Sequence, residues 1–157
     1  MNELFEERTW YYSKRLRHLF KWGGLARKWQ HEYPHLFSDH DLSLTRHGSA
    51  HLFFEWLASI TFFHSMGYRS HHKYECDNDP EGQGTFRRLL GEAFSDRYLE
   101  NCTGSPDLLV VSQDESDWFL CETKGPGDRI GIAQRRMAKL IYNHTKRKVV
   151  LLSFKAI

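Results

Sequence analysis

The chain has 157 residues, of which 40% are hydrophobic and 15% aromatic, so it can form one domain with a substantial core and is too apolar for intrinsic disorder. Its formal net charge is only +2, so any affinity for nucleic acid must come from local basic patches. The sequence has no apolar run of about 18 residues, so no membrane span is predicted. The acidic first residues do not resemble a signal peptide. Three cysteines without a C-x-x-C spacing favour reduced thiols and a cytoplasmic protein.

The first part of the chain combines aromatic with basic residues. Apolar residues at three-to-four-residue spacing predict a helix over residues 2–22 and a short one at 25–29, followed by a polar linker over 31–48. Basic side chains interleaved with aromatic ones are what contacts to phosphates and bases need. The candidate DNA-binding residues here are Lys14, Arg15, Arg17, Lys21, Arg27 and Lys28. The alternative is an amphipathic helix that packs its aromatic side chains on the core and leaves its basic ones in solvent.

A strongly apolar helix is predicted over residues 49–66, beginning at Gly48 or Ser49 and ending at Gly67. Glu55 is the only charged residue between positions 52 and 63. A carboxylate on a buried helix is costly unless a cation faces it. We therefore interpret Glu55 as a functional acid, the alternative being a structural partner for an arginine or a position at a solvated helix end.

The next segment, residues 68–75, predicts a strand that carries two adjacent histidines. These histidines, with His64 and Cys76, match no familiar zinc spacing. Glu75 is a weaker candidate for an active-site acid than Glu55. A turn-rich loop over 77–84 and an amphipathic helix over 85–99 follow.

Two apolar runs, 108–111 and 118–121, are joined by a short polar turn and predict a β-hairpin. A turn centred between residues 114 and 115 places Asp107 opposite Glu122, with Cβ atoms roughly 4.5–5.5 Å apart. Two carboxylates at that distance repel each other unless a cation lies between them. Lys124 projects from the same face as Glu122, because side chains alternate along a strand. The open end of this hairpin is a candidate divalent-metal site.

The last part of the chain predicts a tight Pro- and Gly-containing loop at 125–129, a helix at 132–142 and a buried strand at 148–154. Gln134 lies in the first turn of that helix. From residue 49 onward the order of elements predicts an α/β fold with a mixed central sheet flanked by helices.

The motifs around the hairpin resemble a known signature. Pro106-Asp107, Glu122-x-Lys124, Gly125-Pro126-x-Asp128-Arg129 and Gln134 look like those of the VRR-NUC family, in the PD-(D/E)XK nuclease superfamily. The sequence has Ile-Gly at 130–131, where the family often has Leu-Ser. The resemblance implies a restriction-endonuclease-like fold over residues 48–157, with an N-terminal helical extension at 1–47 and an inserted helix at about 77–102.

The resemblance also implies roles for individual residues. It implies Mg²⁺ as the cofactor, with Mn²⁺ as a substitute. The expected catalytic residues are Glu55, Asp107, Glu122, Lys124 and Gln134. Asp107, Glu122 and the Thr123 carbonyl would bind the metal, with Glu55 binding it directly or through water. Lys124 would hold the attacking water or the phosphate, Gln134 would position Lys124, water or phosphate, and Arg129 would contact a DNA phosphate.

The function implied is a metal-dependent DNA nuclease, with a structure-specific endonuclease on flaps or junctions in replication, repair or recombination as the first expectation. Exonuclease, restriction-type and RNA-cleaving activities are alternatives within the enzyme class. The alternative outside it is a catalytically inactive nucleic-acid-binding or assembly module on the same fold. DNA is the expected partner, no membrane is expected, and stand-alone bacterial and phage relatives suggest such an origin and a homodimer.

Overall fold

One mixed sheet of five strands organises the backbone, and the computed structural model describes residues 3–75 and 79–157. The strands are β1 (Phe5–Tyr12), β2 (Arg69–His72), β3 (Leu108–Val111), β4 (Trp118–Lys124) and β5 (Val149–Ala156). The helices are α1 (Lys14–Lys21), α2 (Gly24–Glu32), α3 (Asp39–Leu44), α4 (Phe53–Met66), α5 (Pro80–Leu90), α6 (Glu92–Glu100) and α7 (Ile132–Thr145). Within the described ranges, no helix has the length and apolar character to span a bilayer.

The strand order is β1-β5-β4-β3-β2. Strands β1, β5 and β4 run parallel, whereas β3 runs antiparallel to both β4 and β2. The carboxyl ends of β1, β2, β4 and β5 therefore lie at the same end of the sheet, where β3 begins. Glu122 and Lys124 lie there, at the end of β4.

Both faces of the sheet are buried. On one face α4 packs its aromatic residues against Leu108, Val110 and Cys121. On the other face residues of α5, α6 and α7 pack against Leu109 and Leu120. Burial on both sides explains why β3 and β5 are continuous apolar runs. The predicted α/β fold with helices flanking a mixed sheet is confirmed.

The helix predicted over residues 2–22 is wrong in its first half, because residues 5–12 form strand β1. Aromatic and β-branched residues at 9–12 favour an extended backbone. Pairing with β5 along the whole length of β1 then outweighs the three-to-four-residue spacing that suggested a helix. Ser13 caps the helix that does form, α1, by accepting a hydrogen bond from the Leu16 backbone at 3.4 Å.

Several other boundaries differ from the predictions. The helix predicted over 85–99 is two helices, α5 and α6, separated at Gly91, whose φ of +95° few other residues adopt. The predicted linker contains α3, which a reciprocal Ser38–Asp41 capping box begins. Helix α4 ends at Gly67 as predicted but begins after Leu52. Cys76 and the start of the predicted 77–84 loop lie outside the described residues.

Candidate active site

The β3–β4 hairpin has the register that the sequence predicted. Val111 pairs with Trp118 and Leu109 with Leu120. Asp107, immediately before β3, therefore reaches the end of β4. Its Oδ2 accepts hydrogen bonds from the Thr123 backbone N–H at 2.8 Å and from Thr123 Oγ1 at 2.9 Å.

Glu122 lies among polar side chains on the α7 side of the sheet. Its side chain is 5% exposed, and Lys124 Nζ is 3.4 Å from its Oε1. Gln134 Nε2 donates to the same oxygen at 2.7 Å, while Gln134 Oε1 accepts from the Gly131 backbone N–H at 2.8 Å. The second bond fixes the orientation of the amide. Gln134 thus positions Glu122, a different contact from those expected with Lys124, water or phosphate.

Glu55 approaches the hairpin from the opposite face, in the first turn of α4. Thr123 Oγ1 lies 3.4 Å from Glu55 Oε1 and links it to the Asp107 carboxylate. Within the described residues, Glu55 Oε2 is buried and has no hydrogen-bond partner. A carboxylate oxygen in that state is expensive to keep unless a ligand uses it.

Burial keeps all three carboxyl groups from ionising easily. Burial and then the Asp107 charge raise the pKa of Glu55 to about 8, and the same two causes raise the pKa of Glu122 to about 9. Burial also raises the pKa of Asp107. Strong mutual shifts of this kind are typical of functional sites, since each acid becomes a full charge only when a cation compensates it.

A cleft of about 200 Å³ opens beside Glu55 and Asp107, and we call it the active-site cleft. Its wall includes Glu55, Asp107, Glu75 and Lys73. Burial raises the pKa of Glu75, and its Oε2 is buried without a partner within the described chain. Sequence reasoning ranked Glu75 below Glu55 and did not single out Lys73.

Lys73 has φ of +53°, a left-handed conformation that is uncommon for a lysine. The next residue, Tyr74, is fully buried, and its hydroxyl donates to the Pro106 carbonyl at 3.0 Å. The chain after β2 is thereby tied to the residue that precedes Asp107. A left-handed lysine leaves no sequence signal, which is why this part of the site was missed.

Two glycines allow the close contacts that assemble the site. A Cβ on Gly104, whose φ is +84°, would lie 2.5 Å from the carbonyl carbon of Ala133 in the first turn of α7. A Cβ on Gly125 would lie 2.5 Å from the Phe54 ring, next to Glu55. Larger residues at either position would separate the elements that carry the acids.

The candidate DNA-binding residues lie on helices α1 and α2 and in the loop after β4. Lys14, Arg15, Arg17, Arg27 and Lys28 are exposed, Lys21 is half-buried, and Arg129 is exposed in the loop after β4. Helix α1 packs on α4 through Phe20, whose ring centroid is 5.6 Å from those of Phe53 and Trp56. Phe20 and Trp29 are buried, whereas Trp22 is 47% exposed. The segment therefore packs aromatic side chains on the core and leaves most of its basic side chains exposed to solvent, and DNA binding by these residues stays a prediction.

The donor set suits a hard divalent cation. Among residues 3–75 and 79–157, no group of three or more His, Cys, Asp or Glu side chains is arranged to hold a metal ion. Mg²⁺, however, is usually bound through one or two carboxylates and keeps several waters. Asp107 and Glu122 supply two carboxylates, and the unpartnered Glu55 Oε2 can accept from a metal-bound water. The residues therefore fit Mg²⁺ better than a metal that needs a full protein cage.

The model of the VRR-NUC domain matches residues 55–154, well over half of the chain. The chain belongs to the VRR-NUC family. The matched range begins at Glu55 and contains Asp107, Glu122, Lys124 and Gln134, whereas the basic helices α1 and α2 precede it. This VRR-NUC chain therefore carries a nuclease domain of the restriction-endonuclease-like fold that the resemblance implied.

Among solved structures, the VRR-NUC chain is similar to paFAN1, crystallised with 5′-flap DNA that has a 2-nucleotide flap and a gap. The identity is 23%, the TM-score is 0.39, and the match covers 50% of this chain and 16% of the paFAN1 chain. This chain thus corresponds to a small part of that protein. The curated proteins include no significant match.

Proposed function

We propose that this protein is a Mg²⁺- or Mn²⁺-dependent deoxyribonuclease, a structure-specific endonuclease that cuts branched DNA such as flaps or junctions. The observation that carries this proposal is the arrangement at the open end of the hairpin, where Thr123 Oγ1 contacts both Asp107 and Glu55 and Lys124 lies 3.4 Å from Glu122. Membership of a nuclease family supports the chemistry.

Each residue has a distinct task in this proposal. Asp107, Glu122 and the Thr123 carbonyl would hold the cation, with Glu55 acting directly or through a water. When bound, the cation would supply charge neutralisation at the attacked phosphate and lower the pKa of the attacking water. Lys124 would orient that water or stabilise the phosphate. Gln134 keeps the Glu122 carboxylate in place through its 2.7 Å hydrogen bond.

The exposed basic side chains of α1 and α2, with Arg129, would bind the DNA backbone and place a branch at the acids. Phosphate contacts of this kind position DNA without reading sequence. The Arg17 guanidinium lies over the ring of Phe54, the neighbour of Glu55 in sequence, at 5.6 Å, which supports this role for α1. A homodimer, an arrangement that would suit symmetric junctions, stays a prediction.

The test is cleavage of single-stranded, duplex, 5′-flap, 3′-flap and four-way-junction DNA in Mg²⁺, in Mn²⁺ and in EDTA. We expect cleavage of a branched substrate that needs a divalent cation and that falls on the order of a hundredfold or more in Asp107→Asn and Lys124→Ala. Lys139→Ala, an exposed lysine on α7, is the matched control. Undiminished cleavage in both site variants would refute the assignment, and DNA binding without any cleavage would favour an inactive binding module.

A further inference from the structure

A second cleft, with a volume of about 810 Å³, runs along the edge strand β2, and we call it the β2-edge cleft. All four residues of β2 line it. It shares Asp41, His72 and Lys73 with the active-site cleft, so the two are continuous. Its size is within the range of roughly 300–1,000 Å³ that small-molecule sites occupy.

Each residue of β2 has one polar side-chain atom without a partner among the described residues. Within the described chain, Arg69 Nε, Ser70 Oγ, His71 Nε2 and His72 Nε2 are all buried and form no hydrogen bond. Ser70 is 5% exposed, and His71 and His72 are 9% exposed each. Each such atom costs about 1–3 kcal/mol if nothing satisfies it. Because side chains alternate along a strand, Ser70 and His72 share one face of β2, and two such atoms on one face indicate a ligand with more than one hydrogen-bonding group.

The walls of this cleft define the chemistry of that ligand. Asp41, Asp79 and Glu81 line it together with the histidines. Burial lowers the pKa of both His71 and His72, so these rings are neutral at pH 7. Acids and neutral imidazoles disfavour a phosphate group, while an apolar ligand would leave the β2 atoms unpaired. A nucleobase edge has both donors and acceptors, and its exocyclic amino group donates well to carboxylates.

A positively charged side chain, that of Lys73, lies where the two clefts meet. Lys73 is exposed, lines both clefts and is held in its left-handed conformation between His72 and the buried Tyr74. Its ammonium group could therefore neutralise a phosphate between the acids of the active site and the side chains of β2.

We propose that the β2-edge cleft is a nucleotide subsite, which takes one unpaired nucleotide with an amino-bearing base from the DNA strand being cut. Lys73 contacts its phosphate, and Ser70 and His72, which share one face of β2, bind its base. This inference rests on the proposed function, since it names the part of the substrate that enters next to the acids. A subsite of this kind would favour branched DNA, in which nucleotides near the branch are unpaired.

The test uses the metal-free full-length protein and follows the histidine ring signals by NMR during titration with dCMP, dTMP, deoxyribose 5-phosphate and inorganic phosphate. We expect dCMP to shift the His72 signals with saturation, and dTMP, which lacks the amino group, to bind about two- to tenfold more weakly. Ser70→Ala and His72→Gln should each weaken dCMP binding about two- to tenfold. His64→Gln is the control, because His64 is exposed and contacts Tyr33 at 2.8 Å instead.

Two outcomes would overturn the subsite. Equal shifts with inorganic phosphate and dCMP would make it a phosphate site, and no shift with any probe would mean that water alone satisfies β2. Thermal unfolding of each variant checks that it is folded. The assay also separates this inference from the proposed function, because wild-type protein that cleaves flap DNA yet binds no nucleotide at β2 refutes only the subsite, whereas absence of cleavage refutes the nuclease.

Discussion

The two ends of the β3–β4 hairpin both carry acids, but in opposite states. At the closed end Asp114 Oδ1 accepts hydrogen bonds from Ser112 Oγ, Ser116 Oγ and the Ser116 backbone at 2.7–3.0 Å. These bonds, those from Ser116 foremost, lower the pKa of Asp114 to about 2. At the open end, burial and Asp107 raise the pKa of Glu122 to about 9.

The difference teaches how to tell a structural acid from a functional one. Both acids at the closed end have hydrogen-bond donors, because Glu115 is also paired with Arg88 at 3.0 Å. At the open end the acids face one another, and a buried oxygen of Glu55 has no partner within the described chain. The first arrangement stabilises the turn, whereas the second destabilises the fold and is useful only if a ligand compensates it.

The largest expected effect is that two isosteric variants, one at each end of the hairpin, change cleavage and melting temperature in opposite ways. Glu122→Gln should lower cleavage of branched DNA on the order of a hundredfold or more, and it should raise the melting temperature of the metal-free protein because it removes a buried acid. Asp114→Asn should leave cleavage unchanged and lower the melting temperature. Cleavage assays and thermal unfolding in EDTA measure both. If both variants changed cleavage and melting temperature in the same direction, the acids at the two ends would not differ in role.

The next effect is stabilisation by divalent cations. Mg²⁺ or Mn²⁺ binds the folded state at the open end, so saturating cation, at about 100 times its Kd, should add about 2.7 kcal/mol to the free energy of unfolding. Calorimetry with and without EDTA measures this. Asp107→Asn should lose most of the stabilisation and Asp114→Asn should keep it. An equal shift in both variants would place cation binding elsewhere on the chain.

The pH dependence of the metal-free protein should follow from the raised pKa values. Glu55 and Glu122 have ordinary pKa values of 4.5 and folded values of about 8 and about 9. Between these limits the folded state binds more protons than the unfolded state, so stability should fall as pH rises from about 5 to about 9. Mg²⁺ should reduce this loss of stability at high pH, because the bound cation compensates the carboxylates in place of the protons they lose.

Urea unfolding at a series of pH values, with Glu122→Gln as the control, tests this prediction. The variant should show a shallower fall, since one of the two acids no longer titrates. Asp114 works in the opposite sense, with an ordinary pKa of 3.8 and a folded value of about 2, so its contribution is lost only in strong acid. A slope that is identical in the wild type and in Glu122→Gln would contradict the raised pKa of Glu122.

The smallest effect separates backbone strain from site assembly. Gly104 and Gly127 have φ values of +84° and +82°, so an alanine at either position is strained by about 1–2 kcal/mol. Only at Gly104 would the new Cβ meet backbone, at Ala133, while nothing lies within 4 Å of it at Gly127. Gly104→Ala should therefore reduce cleavage beyond its effect on melting temperature, and Gly127→Ala should not. Equal cleavage in both would mean that the Gly104 contact is not needed at the open end.

The sequence predicted the hairpin register because side chains alternate strictly along a strand, and one polar turn fixes which residues face each other. It also identified Glu55 as an anomaly on an apolar helix. Lys73 and the contact of Gln134 with Glu122 were not predictable, because both depend on how separate elements meet. Strand β1 was missed for the same reason, since its partner lies at the far end of the sequence.

That pairing of β1 with β5 has a consequence for how the molecule folds. Phe5 lies beside Val149 and Tyr12 beside Ala156, so one side of the sheet closes only when residues from opposite parts of the chain meet. Contacts so far apart in sequence are slow to form, because a long loop must close before they contribute any energy. During synthesis the hydrogen-bonding edge of β1 therefore stays without its partner strand until β5 has left the ribosome.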